Sequence, residues 1–263
     1  MCAAVFAVSL LLMTTGGHCS EAVSFYGHPG GNQERTLPVK GWLTLPDQGG
    51  LRPCVIMLHG GSGWVPDSYR PWVDRLQSWG YIVLQVDSFS GRGISMQNNY
   101  GNIPYSKLIE LRAGDALAAQ KYLASLPRAD KERIALLGWS QGGTVVNHLV
   151  ATPTVRGKFA AAVAFYPLCN TKIEDLNTPL LVVIGEKDNV THAYLCKAML
   201  PIESASEEVV LKILKEAHHA FDFEGADGEF VWGSRQGYRY LYNPEAAATA
   251  IELVKQFLHK HLK

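Results

Sequence analysis

Charge is scarce in this 263-residue chain. Lys and Arg together number 24 and Asp and Glu 24, so the formal net charge is zero, and only 18% of residues are charged. No Lys/Arg-rich run occurs. The electrostatic footprint of a nucleic-acid binder is therefore missing, and a basic membrane-surface patch has no support. Cysteine is sparse too. The five are Cys2, Cys19, Cys54, Cys169 and Cys196, with no C-x-x-C pair, so a zinc ribbon or thioredoxin-like site is excluded and neither metal nor cofactor is called for. Internal repeats and low-complexity linkers are absent, and no apolar run is long enough to cross a hydrocarbon core of roughly 30 Å. What is abundant is hydrophobic side chain, 47% of the total, enough for one large core. The expected partner is a neutral or weakly polar small molecule, with no nucleic acid and no stable membrane insertion of the mature chain.

The first residues differ from the rest. Ala3 to Met13 is apolar apart from Ser9, and Thr14 to Ser20 is small and polar, the h- and c-regions of a secretory signal. No Lys or Arg precedes the run and no clean A-x-A site follows it. We expect residues 1–20 to be a cleaved signal peptide, residues 21–263 to form a single catalytic domain, and the protein to be exported, periplasmic or secreted. In an oxidising compartment Cys169 and Cys196 are candidates for a disulfide, while Cys54 lies in an apolar strand and is expected in the core.

Gly and Pro clusters punctuate short apolar runs at βα-unit intervals. Strands are expected at Val39–Leu45, Pro53–Leu58, Tyr81–Val86, Ile134–Leu137, Ala160–Phe165, Leu180–Ile184 and Val209–Leu214, and helices at Tyr69–Trp79, Ser106–Leu126, Thr144–Ala151 and Glu245–Leu262. This alternation implies an α/β fold, a mainly parallel central sheet with helices on both faces, and places the chemistry beyond the carboxyl ends of the strands. The long connection from Asp87 to Tyr105 and the aromatic-rich segment from Gly225 to Tyr242 are expected to shape a pocket.

The strongest local signal is Gly138-Trp139-Ser140-Gln141-Gly142-Gly143, a G-x-S-x-G directly after a strand and before a helix. Such a turn projects the serine above the sheet, and the helix start aims N–H groups at a developing oxyanion. A serine hydroxyl needs a base, and the base an orienting carboxylate, in the chain order Ser, acid, His. The loop Gly185-Glu186-Lys187-Asp188 supplies Asp188, with Glu186 as competitor, and Ala217-His218-His219-Ala220 supplies the base. Adjacency leaves His218 and His219 open. His59-Gly60-Gly61 after an earlier strand is placed to give a second oxyanion N–H, from Gly60 or Gly61, beside that of Gln141. His59 and Trp139 flank these donors and are candidates for substrate contact.

Leu137–Gly143, Ile184–Asp188, His219-Ala220-Phe221 and Asp87-Ser88-Phe89-Ser90-Gly91-Arg92-Gly93 together resemble the dienelactone hydrolase family of α/β-hydrolases, from about Val39 onward. The resemblance implies the α/β-hydrolase fold, Ser140 as nucleophile, Asp188 as acid and His219 as base. It also puts Arg92 near an arginine that contacts a substrate carboxylate. Three departures stand out. A serine replaces the family's cysteine nucleophile, no glutamate accompanies the oxyanion loop, and Asp222 follows Phe221 where a second arginine is expected. These point to an exported serine esterase acting on an ester or lactone. The same residues suit a peptidase or amidase, and a non-catalytic binding protein on the hydrolase fold is the remaining alternative.

Overall fold

The computed structural model describes residues 20–27, 38–170, 173–200, 208–232 and 235–263. The expected signal peptide lies outside them except for Ser20, which opens a strand. Strand β1 (Ser20–Tyr26) pairs antiparallel with β2 (Pro38–Thr44), and β2 pairs antiparallel with the strand next to it in the sheet. Six strands are parallel: β3 (Arg52–Leu58), β4 (Ile82–Asp87), β5 (Ala129–Trp139), β6 (Ala161–Phe165), β7 (Leu180–Gly185) and β8 (Val209–Leu214). The eight-stranded sheet has the order β1-β2-β4-β3-β5-β6-β7-β8. Its inner strands are covered on both sides, which is why they read as continuous apolar runs; Val55, Ile56, Leu136, Leu137, Val163 and Val182 have no exposed surface. A separate antiparallel hairpin, β9 (Asp227–Trp232) and β10 (Arg235–Leu241), occupies the segment expected only to shape a pocket.

Helices α1 (Pro66–Ser78), α2 (Tyr105–Ala124), α3 (Gln141–Val150), α4 (Ala193–Met199) and α5 (Pro244–His261) complete the fold. Proline stands in the first turn of α1, where its missing N–H has no intrahelical partner to lose. Past its other end Gly80 takes a φ of 91° and closes the helix with a left-handed turn. Asn243 caps α5 by accepting the Ala246 N–H at 3.0 Å, a bond typically worth about 1 kcal/mol. Helices α2 and α3 pack together on one face of the sheet. On the other, the Lys255 ammonium of α5 lies over the Trp79 ring at the end of α1.

Two expectations are corrected here. Strand β5 runs from Ala129, not from Ile134, because Arg52 and Ala129 continue the pairing below the buried segment. Arg92 does not face a substrate. The connection between β4 and α2 turns its guanidinium inward, where Nη1 meets Asp115 Oδ2 at 2.8 Å and Nη2 meets Oδ1 at 2.7 Å. Arg92 Nη1 also donates to the Ser88 carbonyl at 2.8 Å. Side-chain exposure is 5% for Arg92 and zero for Asp115. Burial pushes the Asp115 carboxyl up and the facing guanidinium opposes that shift, so the aspartate needs its cation.

Arg92→Ala strands a buried carboxylate and is expected to destabilise the protein by about 3–5 kcal/mol, read as a lower urea midpoint. Activity on anionic and on neutral esters should fall together. A loss confined to anionic esters would return Arg92 to a substrate-binding role.

Candidate active site

Ser140 sits between β5 and α3 with φ 51° and ψ −114°, a strained conformation for any residue with a side chain. Its N–H donates to the Phe165 carbonyl at 2.9 Å, fastening the turn to β6. The glycines around it leave no room for a methyl. A Cβ on Gly138 would lie 2.4 Å from the Gly142 oxygen, and one on Gly142 would lie 2.1 Å from the Leu58 oxygen. Helix α3 begins at Gln141, ahead of the expected start at Thr144, so its first N–H groups stand directly behind the serine.

The loop after β8 brings His219 to this point, with Glu216 and Ala220 at φ 56° and 58°. His219 Nε2 lies 3.0 Å from Ser140 Oγ, and Nδ1 lies 2.8 Å from Asp188 Oδ2. A ring whose Nδ1–H donates to Asp188 presents the Nε2 lone pair to the serine hydroxyl. Asp188 is fixed in turn. Its Oδ1 accepts the N–H groups of Val190 and Thr191, both at 2.9 Å, and its Oδ2 lies 3.0 Å from the Thr191 hydroxyl. Of the two competitors, Glu186 is exposed and accepts the Glu216 N–H at 3.4 Å, while His218 is half-buried beside the loop. The hairpin backs the base: Leu241 donates to the His219 carbonyl at 3.2 Å, and the Tyr240 ring meets the imidazole edge-on at 5.1 Å.

The expected oxyanion donors separate. The N–H of Gln141 opens α3 and that of Gly61 has no protein acceptor among the described residues; both residues line the cavity in front of Ser140. The Gly60 N–H is already taken, donating to Tyr69 Oη at 2.8 Å. His59 does not contact a substrate either. It is fully buried, its Nδ1 lies 2.7 Å from the Gly60 carbonyl, and its Nε2 accepts the Ser88 N–H at 3.3 Å. Burial, helped by the Arg112 charge, pulls its pKa down to about 3, so it is a neutral brace. Trp139 borders the cavity, but its Nε1 donates inward to Asp222 at 2.9 Å.

Two groups carry no signal that sequence spacing can reveal. Asp222 accepts from Trp72 and Trp139 through Oδ2, at 2.8 and 2.9 Å, and from the Tyr166 hydroxyl through Oδ1, at 2.7 Å. The Tyr166 ring packs 4.5 Å from that of His219, so one carboxylate ties the elbow to the base. Burial pushes that carboxyl up, opposed by its three donors. Arg112, buried in α2, donates to the Gln141 side-chain oxygen and the His59 carbonyl and lies 5.0 Å from the Phe89 ring centre. Burial lowers its pKa to about 10, which leaves it charged at neutral pH behind the loop that carries His59, Gly60 and Gly61.

The cavity above Ser140 measures about 710 Å³. Aromatic rings dominate it, among them Tyr69, Tyr100, Tyr105, Tyr166, Phe223 and Tyr240. Among its described lining residues no Lys or Arg occurs, and Glu224 is the only Asp or Glu. Cys169 and Cys196 are joined, with Cα atoms 4.9 Å apart, tying the loop after β6 to α4.

Comparison with known proteins matches this architecture. The chain is 32% identical over 141 residues to acylamino-acid-releasing enzyme 1 of Oryza sativa subsp. japonica, a match covering 52% of this chain and 17% of the rice protein. It thus spans less than a fifth of that relative. A dienelactone hydrolase-like promiscuous phosphotriesterase from metagenomic libraries superposes with a TM-score of 0.71 at 19% identity, covering 94% of this chain and 100% of the other. A dienelactone hydrolase from Anabaena variabilis superposes at 0.66 and 20% identity, covering 94% and 99%. At such identities these two likenesses are likenesses of fold. The model of the dienelactone hydrolase family matches residues 39–262, and the chain therefore belongs to that family of α/β-fold hydrolases.

Proposed function

We propose that this protein hydrolyses uncharged carboxylic esters or lactones through an acyl-enzyme on Ser140. The observation that carries this reading is the continuous line from Asp188 through His219 to Ser140, with gaps of 2.8 and 3.0 Å. His219 Nε2 takes the hydroxyl proton as Ser140 Oγ bonds to the carbonyl carbon, and the carbonyl π pair moves onto oxygen. The oxyanion is received by the N–H groups of Gln141 and Gly61. Collapse expels the alkoxide, which leaves with the proton held on His219, and water repeats the sequence to free the acid. Each such donor contributes about 2.7–4 kcal/mol.

The absence of Lys and Arg from the described cavity wall supports a neutral substrate, since a carboxylate placed there would lose its hydration without gaining a partner. A peptidase reading is favoured by the likeness to the rice acylamino-acid-releasing enzyme, and the same three groups cleave amides. Export is the compartment we propose, supported by the apolar run at residues 3–13 and by the paired Cys169 and Cys196, since disulfides persist under oxidising conditions.

Ser140→Ala is expected to lower turnover of p-nitrophenyl acetate by about 10⁴-fold or more with an unchanged melting temperature. An unaltered rate in the folded variant would overturn the proposal. Faster cleavage of a matched p-nitroanilide than of the ester would favour the peptidase reading.

A further inference from the structure

We infer that Tyr69 is a side-chain donor to the oxyanion, replacing the Gly60 amide that the H-G-G loop otherwise offers. The inference rests on Ser140 being the nucleophile.

The Gly60 N–H donates to Tyr69 Oη at 2.8 Å, so the phenolic oxygen is the acceptor and its own hydrogen is directed elsewhere. No protein acceptor among the described residues takes that hydrogen, and Tyr69 lines the cavity in front of Ser140. Position then limits where it can go. The place a Cβ on Gly60 would occupy is 3.6 Å from Ser140 Cβ and 3.6 Å from Tyr69 Oη. Nucleophile and hydroxyl therefore both border the space on this side of Gly60, and both residues line the cavity in which a substrate carbonyl would lie.

The ring is not free to swing away. It stacks on Trp64 at 4.6 Å and meets Trp139 and Phe223 edge-on, each at 5.1 Å, and the residue is only 5% exposed. A preorganised donor of this kind needs no reorganisation when charge develops. Burial pushes the Tyr69 phenol above its ordinary value, which keeps it protonated across the working pH range. The amide that donates to Oη polarises the hydroxyl and strengthens it as a donor in turn. No proton is transferred: the O–H bond persists and only its hydrogen bond passes to the oxyanion.

The opposing reading is that Tyr69 merely plugs the Gly60 amide, and the two differ in sign. Tyr69→Phe removes the hydroxyl and uncovers the Gly60 N–H. If Tyr69 is a donor, kcat for p-nitrophenyl acetate falls about 10²–10³-fold with KM little changed, and inhibition by phenylboronic acid weakens by a similar factor. A kcat that is retained or raised overturns the inference. Were the phenylalanine variant not to fold, 3,5-difluorotyrosine at position 69 keeps the shape and makes the hydroxyl more acidic. A new loss of kcat on the alkaline side is then expected, because a phenolate cannot donate, and an unmoved pH profile overturns the inference. Inactive Ser140→Ala beside fully active Tyr69→Phe would sink this inference alone, whereas an active Ser140→Ala would remove the reading beneath it.

Discussion

The backbone at Ser140, with φ 51° and ψ −114°, is a conformation that costs of order 1–3 kcal/mol and persists only where its surroundings over-determine it. The surroundings here are identifiable. Phe165 holds the Ser140 amide, Gly138 and Gly142 allow backbone contacts that a methyl would forbid, and the buried parallel strands on either side keep β5 from shifting. Release of the turn would move Oγ out of line with His219 and leave the N–H groups of α3 aimed at nothing. The sheet, with its inner strands buried on both faces, is what keeps one serine in an unfavourable place.

A second layer keeps the groups around that serine from relaxing. Arg112 grips the loop carrying His59 and the side chain of Gln141, so that loop and the start of α3 share one buried cation. Asp222 draws Trp72, Trp139 and Tyr166 onto a single carboxylate, and Tyr166 in turn forms a wall for the imidazole. Where the family resemblance leads one to expect an arginine after the base, this chain has an acid among aromatic donors. That acid serves as an internal anchor for Trp72, Trp139 and Tyr166.

Much of this architecture is legible in the sequence. Ser140 and Asp188 can be named because chain order and strand-end position constrain them, and the parallel strands because double burial leaves uninterrupted apolar runs; between His218 and His219 those constraints do not choose, and only the family resemblance points to His219. Arg92 is misleading because a motif position says nothing of side-chain direction, and the buried partner that turns it inward, Asp115, looks like any charge on a helix. Gly60 reads as a donor because its amide's actual acceptor, Tyr69, belongs to a different element. Strand β1, the short helix α4 and the hairpin lack the periodicity that marks the rest; β1 and the hairpin are held by pairing with a neighbouring strand, which local patterning does not encode. Asp222 and Arg112 act through partners as far away as 150 and 53 residues in sequence, beyond the reach of spacing arguments.

The measurement that bears most directly on the elbow and its base is mass analysis of the protein after brief treatment with a fluorophosphonate at neutral pH. The account predicts a single adduct, on Ser140 within the tryptic peptide 134–156, and its near disappearance in His219→Ala. Labelling at another residue, or labelling of Ser140 at the same rate without the imidazole, would contradict it.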